Sequence, residues 1–126
     1  MPINPFMRIL VVDDFPAMRR LMRNALRERE LTNICEAANG EEALKIVDSE
    51  PIDLILCDWN MPVMSGLELL IWVRSREQFQ SLPFIMVTAE SDKMNVVEAL
   101  RQKVSNYVIK PFTVDILEAK LKQIFR

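Results

Sequence analysis

The chain contains no histidine, only two cysteines and no excess of basic charge, and each shortage closes off a class of chemistry. Without histidine there is no Ser-His or Cys-His nucleophile system, no common zinc site and no phosphohistidine donor. Any catalysis runs on carboxylates, lysine and hydroxyls. Cys35 and Cys57 lie inside apolar or strand-like stretches, and their number and spacing suit neither a disulfide framework nor a thiolate metal site. A reducing, cytoplasmic setting is the simplest reading. Sixteen Lys and Arg against eighteen Asp and Glu give a formal net charge of -2, so no global basic field exists to hold nucleic acid or an anionic membrane. No apolar run nears the roughly 18 to 20 residues needed to span a bilayer. The start, MPINPFMRILVVDD, lacks the small-residue cleavage site of a secretory signal. No repeat, low-complexity stretch or Gly/Ser linker divides the 126 residues, so a single domain over 1–126 is expected, with only 1–5 loose.

What is present is alternation. Five short apolar runs, Met7–Val12, Asn33–Ala37, Asp53–Cys57, Phe84–Val87 and Tyr107–Ile109, are predicted strands. Between the first two, Met18, Leu21, Met22, Ala25 and Leu26 recur at helical spacing, with Arg19, Arg20, Arg23 and Arg27 opposite and Pro16 suited to a first turn. The same spacing predicts helices over Glu41–Ser49, Gly66–Arg76, Asp92–Gln102 and Val114–Phe125, the last with Ile116, Leu117, Leu121, Ile124 and Phe125 on one stripe. Alternating strand and helix requires parallel pairing through right-handed crossovers. The fold class is therefore α/β, a flavodoxin-like (βα)5 doubly wound sheet of five parallel strands in order 2-1-3-4-5, with helices on both faces.

In such a fold, functional groups gather beyond the carboxyl ends of the strands. There stand Asp13 and Asp14 after the first run, Asp58 after the third, Thr88 after the fourth, and Lys110 before Pro111 after the fifth. Polar residues at strand ends and acids at helix starts are ordinary when taken singly. Three carboxylates converging opposite one lysine would repel each other unless a cation neutralises them. Oxygen ligands without His or Cys point to Mg²⁺ or a similar hard ion. A metal-bound carboxylate facing a lysine suits phosphoryl transfer, with Asp58 at the end of the central strand as the nucleophile.

The segments VVDDFPAMRRLMRNAL, CDWNMPVMSGLELL, MVTAE and NYVIKPFT together resemble the receiver domains of two-component response regulators, and among them the single-domain CheY-like chemotaxis regulators. The likeness covers roughly residues 6 to 125. It implies that Asp58 accepts a phosphoryl group from a CheA-like histidine kinase, and that the chain catalyses only its own phosphorylation and dephosphorylation. It implies Mg²⁺ held by Asp14, Asp58 and the carbonyl of Asn60, with Asp13 holding a coordinated water. Lys110 would face the phosphoryl group from beside a cis peptide to Pro111, a geometry open to X-Pro bonds. Thr88 and Tyr107 would form the switch pair, and Asn60 and Glu90 fit a short-lived phosphoryl group. The output would be a monomer's protein-binding face, built on the last two helices and the last strand and including Lys93 and Lys120. Its partner would be the flagellar switch protein FliM or another target, with a CheZ-like phosphatase. A phosphate-sink role is the alternative.

Some residues depart from the family pattern. Lys103 and Asn106 stand where glycines are familiar, and both would need a left-handed conformation to keep that geometry, which suits Asn better than Lys. Asp92 and Gln123 stand where lysine is usual. Ser65, before Gly66, reads as neutral surface variation. The arginines of the first helix, extended by Arg29, could meet an acidic partner or nucleic acid, but Glu28 and Glu30 interleave with them and favour a solvated face. Trp59 should report on events at Asp58, while Cys57 should point away and be inert. An aspartyl-phosphate hydrolase would carry D-x-D where Asp13-Asp14-Phe15 stands. A flavin carrier would need a hydroxyl- and glycine-rich phosphate loop where DDFPAM stands.

Overall fold

The computed structural model describes residues 3–89 and 93–125, the side chains of residues 93–96 excepted. The elements alternate as β1 (Ile9–Val12), α1 (Pro16–Arg27), β2 (Ile34–Ala37), α2 (Gly40–Ser49), β3 (Leu54–Asp58), α3 (Gly66–Ser75), β4 (Phe84–Ala89), α4 (Lys93–Arg101), β5 (Asn106–Lys110) and α5 (Val114–Ile124). One feature beyond this alternation is a single 3-10 turn at Glu77–Phe79. All strand pairs are parallel, in the order β2-β1-β3-β4-β5. No helix among the described residues is long and apolar enough to cross a membrane.

The period of two along the strands divides the core into two layers. Leu10, Val12, Ile55 and Cys57 face Ala43 and Val47 of α2, Leu69, Leu70 and Val73 of α3, and Ala99 of α4. Ile9, Val11, Leu54 and Leu56 face Met22, Ala25 and Leu26 of α1 and Leu117 and Leu121 of α5. Every residue of β1 and β3 is buried, as strands covered on both sides must be. Each fully buried aliphatic side chain contributes about 1.5–3 kcal/mol. The chain therefore orders its polar strand ends on a scaffold that does not depend on them.

Three helix starts, those of α2, α3 and α5, are fixed by side chains. Asn39 accepts the amide of Glu42 at the head of α2, and Thr113 accepts that of Ile116 at the head of α5. Ser65 and Glu68 form a reciprocal capping box at the head of α3. Ser65 thus sets where α3 begins, a role that Asp would fill about as well.

Several expectations need correcting. Leu21 and Ile116, placed on core stripes by their spacing, are exposed, because each lies at the edge of its helix's apolar arc. Asn106 does not take a left-handed turn. It opens β5, where its amide nitrogen donates to Gln123 Oε1 at 2.7 Å. Lys103 alone carries the turn, with φ 63°, at a cost of about 1–2 kcal/mol for a residue with a Cβ. Of the N-terminal residues expected to be loose, Ile3 packs against the α1/α5 layer and Asn4 accepts the amides of Phe6 and Met7. Glu90, Asp92 and the side chain of Lys93 lie outside the described residues.

Candidate functional site

The strands run further than their apolar stretches. Asp58 pairs with Val87, Thr88 with Ile109, and Ala89 with Lys110, so Asp58 and Lys110 are the last residues of their strands rather than the first beyond them. Backbone pairing thus continues to the foot of a polar cluster in which the two strand-end residues Asp58 and Lys110 bond each other. β1 stops at Val12, leaving Asp13 and Asp14 to turn into α1.

Four charged groups meet here, and Thr88 stands at the same end of the sheet, one residue past Val87, the strand partner of Asp58. Lys110 Nζ donates to Asp58 Oδ1 at 2.8 Å and lies 3.6 Å from Asp13 Oδ2. One carboxylate oxygen each from Asp13, Asp14 and Asp58 falls within 4.8 Å of the others. Asp13, Asp58 and Thr88 are buried, and Asp14 is half-buried. Asp13 Oδ1 accepts the amide of Phe15 at 2.9 Å. Among the described residues, Asp13 Oδ2, Asp14 Oδ1 and the Thr88 hydroxyl are buried without a hydrogen-bond partner. Orphaned polar atoms are costly, and in a native site they mark a place for a ligand. Burial first, and the neighbouring Asp58 and Asp14 carboxylates further, hold the Asp13 carboxyl above its ordinary value, against the opposing Phe15 amide and Lys110. An all-oxygen donor set with two orphaned carboxylate oxygens fits a hard divalent cation such as Mg²⁺.

The loop from Trp59 to Ser65 carries the acceptor into α3. Gly66 sits so close to β3 that an added Cβ would press on the Asp58 carbonyl oxygen, and its amide donates to Trp59 O at 2.8 Å. Gly66 is required here for space rather than for backbone freedom. Met64 packs on Gly40 at the head of α2, where a Cβ would come within 2.8 Å of it. Between these anchors Val63 is 73% exposed at φ 71°, a left-handed conformation that disfavours a β-branched side chain. Spacing gave no sign of this strain, since the sequence there offers neither Gly nor Asn.

The remaining expected residues take these places. Trp59 is buried against the α2/α3 layer, and Asn60 is exposed on the loop after the acceptor. Cys57 is fully buried, and desolvation pushes its thiol well above the ordinary range, so it is inert. Tyr107 is half-buried, with Lys120 Nζ 4.9 Å from its ring centroid. The peptide between Lys110 and Pro111 is cis. Tyr107 and Lys120 share a cavity of about 390 Å³ with Ile109, Lys110, Pro111 and Ile116, so the lysine of the acidic site also lines the neighbouring surface.

Comparison with known proteins agrees with this geometry. Residues 9–122 match the response regulator receiver domain family. The chain is 45% identical over 119 residues to the chemotaxis protein CheY of Pseudomonas aeruginosa, covering 94% of this chain and 96% of that one. It is 42% identical over 123 residues to the chemotaxis protein CheY-3 of Vibrio cholerae, covering 98% and 95%. Among solved structures, the chemotaxis response regulator CheY4 of Vibrio cholerae superposes with a TM-score of 0.85 at 29% identity, covering 94% of this chain and 98% of that chain. With the sheet order, the acidic cluster and these matches all running over nearly the full length, the chain belongs to the response regulator receiver domain family and is of the CheY type, a component of two-component chemotactic signalling.

Proposed function

We propose that Asp58 accepts a phosphoryl group from a phosphohistidine on a CheA-like kinase, and that this changes a protein-binding face of a monomer. The observation that carries the reading is the meeting, at one sheet edge, of a buried carboxylate, a lysine 2.8 Å from it and an orphaned buried hydroxyl. In the transfer, an Asp58 carboxylate oxygen bonds phosphorus as the P–N bond to the donor imidazole breaks, and the imidazole leaves with that electron pair. Asp14, Asp58 and the Asn60 carbonyl would hold Mg²⁺, with Asp13 orienting a water, and the ion supplies neutralisation of phosphoryl oxygen charge. Lys110 releases its ion pair with the carboxylate and takes up a phosphoryl oxygen instead.

The Thr88 hydroxyl, without a partner before transfer, gains one in a phosphoryl oxygen. Its displacement frees space toward β5 for the Tyr107 ring, which moves against Ile109, Ile116 and Lys120. That face mixes exposed Ile109 and Ile116 with Lys120, which suits a protein segment with apolar and acidic side chains, such as FliM or another target. A CheZ-like phosphatase would end the signal.

Intact mass after incubation with acetyl phosphate, with and without Mg²⁺, tests the chemistry. The expected result is a Mg²⁺-dependent gain of one phosphoryl group that Asp58→Asn abolishes. Labelling that persists in the variant refutes Asp58 as acceptor, and no labelling of the parent refutes the receiver chemistry. Binding of a FliM peptide, strengthened by phosphorylation, then separates motor control from a phosphate sink, for which binding stays unchanged.

A further inference from the structure

Two of the arginines on α1 are not simply solvated. Arg19 is only 17% exposed, and it reaches back across the first turn, where Nη1 donates to the backbone carbonyl of Asp13 at 2.6 Å. Its Nε donates to Glu36 Oε1 at 3.1 Å, and the second oxygen of Glu36 accepts from Arg23 Nη1 at 2.8 Å. Glu36 belongs to β2, the neighbour of β1 in the sheet. Asp13 is thus gripped at both ends: its carboxylate by the Phe15 amide, and its carbonyl by a guanidinium anchored to the adjacent strand. A charge-assisted bond of this kind is among the stronger ones available to a backbone carbonyl.

We propose that Arg19 is a positioning residue for the metal site. It sets the Asp13–Asp14 turn so that the Asp13, Asp14 and Asp58 carboxylates converge, with Glu36 as its anchor. The inference rests on the reading of that cluster as a Mg²⁺ site.

The sign of the effect separates positioning from plain electrostatics. A fixed cation beside a cation site weakens binding, so as a charge alone Arg19 would oppose Mg²⁺ and its removal would tighten the site. As a positioning group its removal loosens the turn and weakens the site. The side chain of Arg23 also answers to Glu36 but does not reach Asp13, which makes it the matched control for charge.

The experiment titrates MgCl₂ into the metal-free protein and follows Trp59 fluorescence in a Trp72→Phe background, with melting temperature recorded for each variant. Arg19→Met is expected to weaken Mg²⁺ binding about five- to tenfold, the worth of one ordinary net hydrogen bond. Arg19→Lys, which keeps the charge and can hold one of the two oxygens, should lose about two- to threefold. Arg23→Met should stay within about twofold of the parent, as an exposed ion pair predicts. Unchanged or tighter binding in Arg19→Met overturns the proposal. If that variant does not fold, unchanged binding in folded Arg19→Lys overturns it instead. An equal loss in Arg23→Met also overturns it, since the network's charge rather than the grip on Asp13 would then be at work. A parent protein that binds no Mg²⁺ fails the underlying site reading, which is distinguishable because it precedes every variant comparison.

Discussion

Replacing Gly66 with alanine should injure the acceptor strand more than replacing Gly40, whose neighbours belong to Met64 rather than to β3. The added Cβ would lie 2.9 Å from Met86 Sδ, 3.0 Å from Trp59 Cα, and closer still to the carbonyl oxygen of Asp58. Met86 can turn its thioether aside, but two of the three obstacles are backbone, so relief requires the head of α3 to move off β3. That movement breaks the bond from the Gly66 amide to Trp59 O, 2.8 Å in the native fold. Overpacking of this kind costs about 1–3 kcal/mol and the lost bond about 1 kcal/mol, together about 2–4 kcal/mol. For a chain of this length, with about 4 °C per kcal/mol, the melting temperature should fall by about 8–16 °C. Circular dichroism melts of the metal-free protein measure this directly. Acetyl phosphate labelling, run well below the melt, should slow further because the Asp58 peptide itself has shifted. Adding Met86→Ala should restore little. A melting temperature within about 2 °C of the parent, or full rescue by Met86→Ala, would refute the claim that strand backbone is what glycine avoids.

Four other substitutions test further features of the fold. Lys103→Gly and Val63→Gly remove Cβ atoms from left-handed positions at φ 63° and 71°, so each should raise the urea midpoint by about 1 kcal/mol of stability without changing Mg²⁺ affinity. Arg74→Met removes a half-buried guanidinium that donates to the carbonyls of Lys103, Phe79 and Leu82, and should cost about 2–4 kcal/mol by denaturant unfolding. Asp13→Asn should stabilise the metal-free protein at pH 7 and not at pH 3. The native state holds the Asp13 proton above the ordinary 3.8, so stability is lost as pH rises from that value through the raised one, and an uncharged isostere escapes the loss. An equal gain at both pH values would exclude ionisation as the cause. The same variant should bind Mg²⁺ less tightly.

The fold was legible because its signals are local and repeated. β1 and all of β3 before Asp58 are continuously apolar, and helices of 9 to 12 residues separate short strands, so parallel topology follows from connection length alone. The site was legible because its groups close apolar runs. Strand ends were read short by one or two residues at Thr88 and Lys110, since pairing persists where hydrophobicity stops. Leu21 and Ile116 were misread because spacing defines an apolar arc but not which edge of it meets the sheet. What no sequence pattern announced is made by distant partners. Arg19 finds Glu36 seventeen positions away, and Asn106 finds Gln123 at the same separation. Both contacts exist only after the sheet has assembled. Gly66 reads from sequence as a helix start, and only the third dimension exposes the carbonyl pressed against it.

Arg74 gives the molecule an anchored pole. It stands at the last turn of α3, at the edge of the sheet opposite the carboxylates, and ties the entry to β4 and the turn before β5 to one planar group. Ser105, next to that group, also accepts the amide of Phe84 as β4 begins. β4 is therefore fastened where it begins, while Thr88, near its other end, has a buried hydroxyl with no partner. If the switch proposed above operates, a strand held in this way would answer a pull on Thr88 by tilting about its start rather than by sliding.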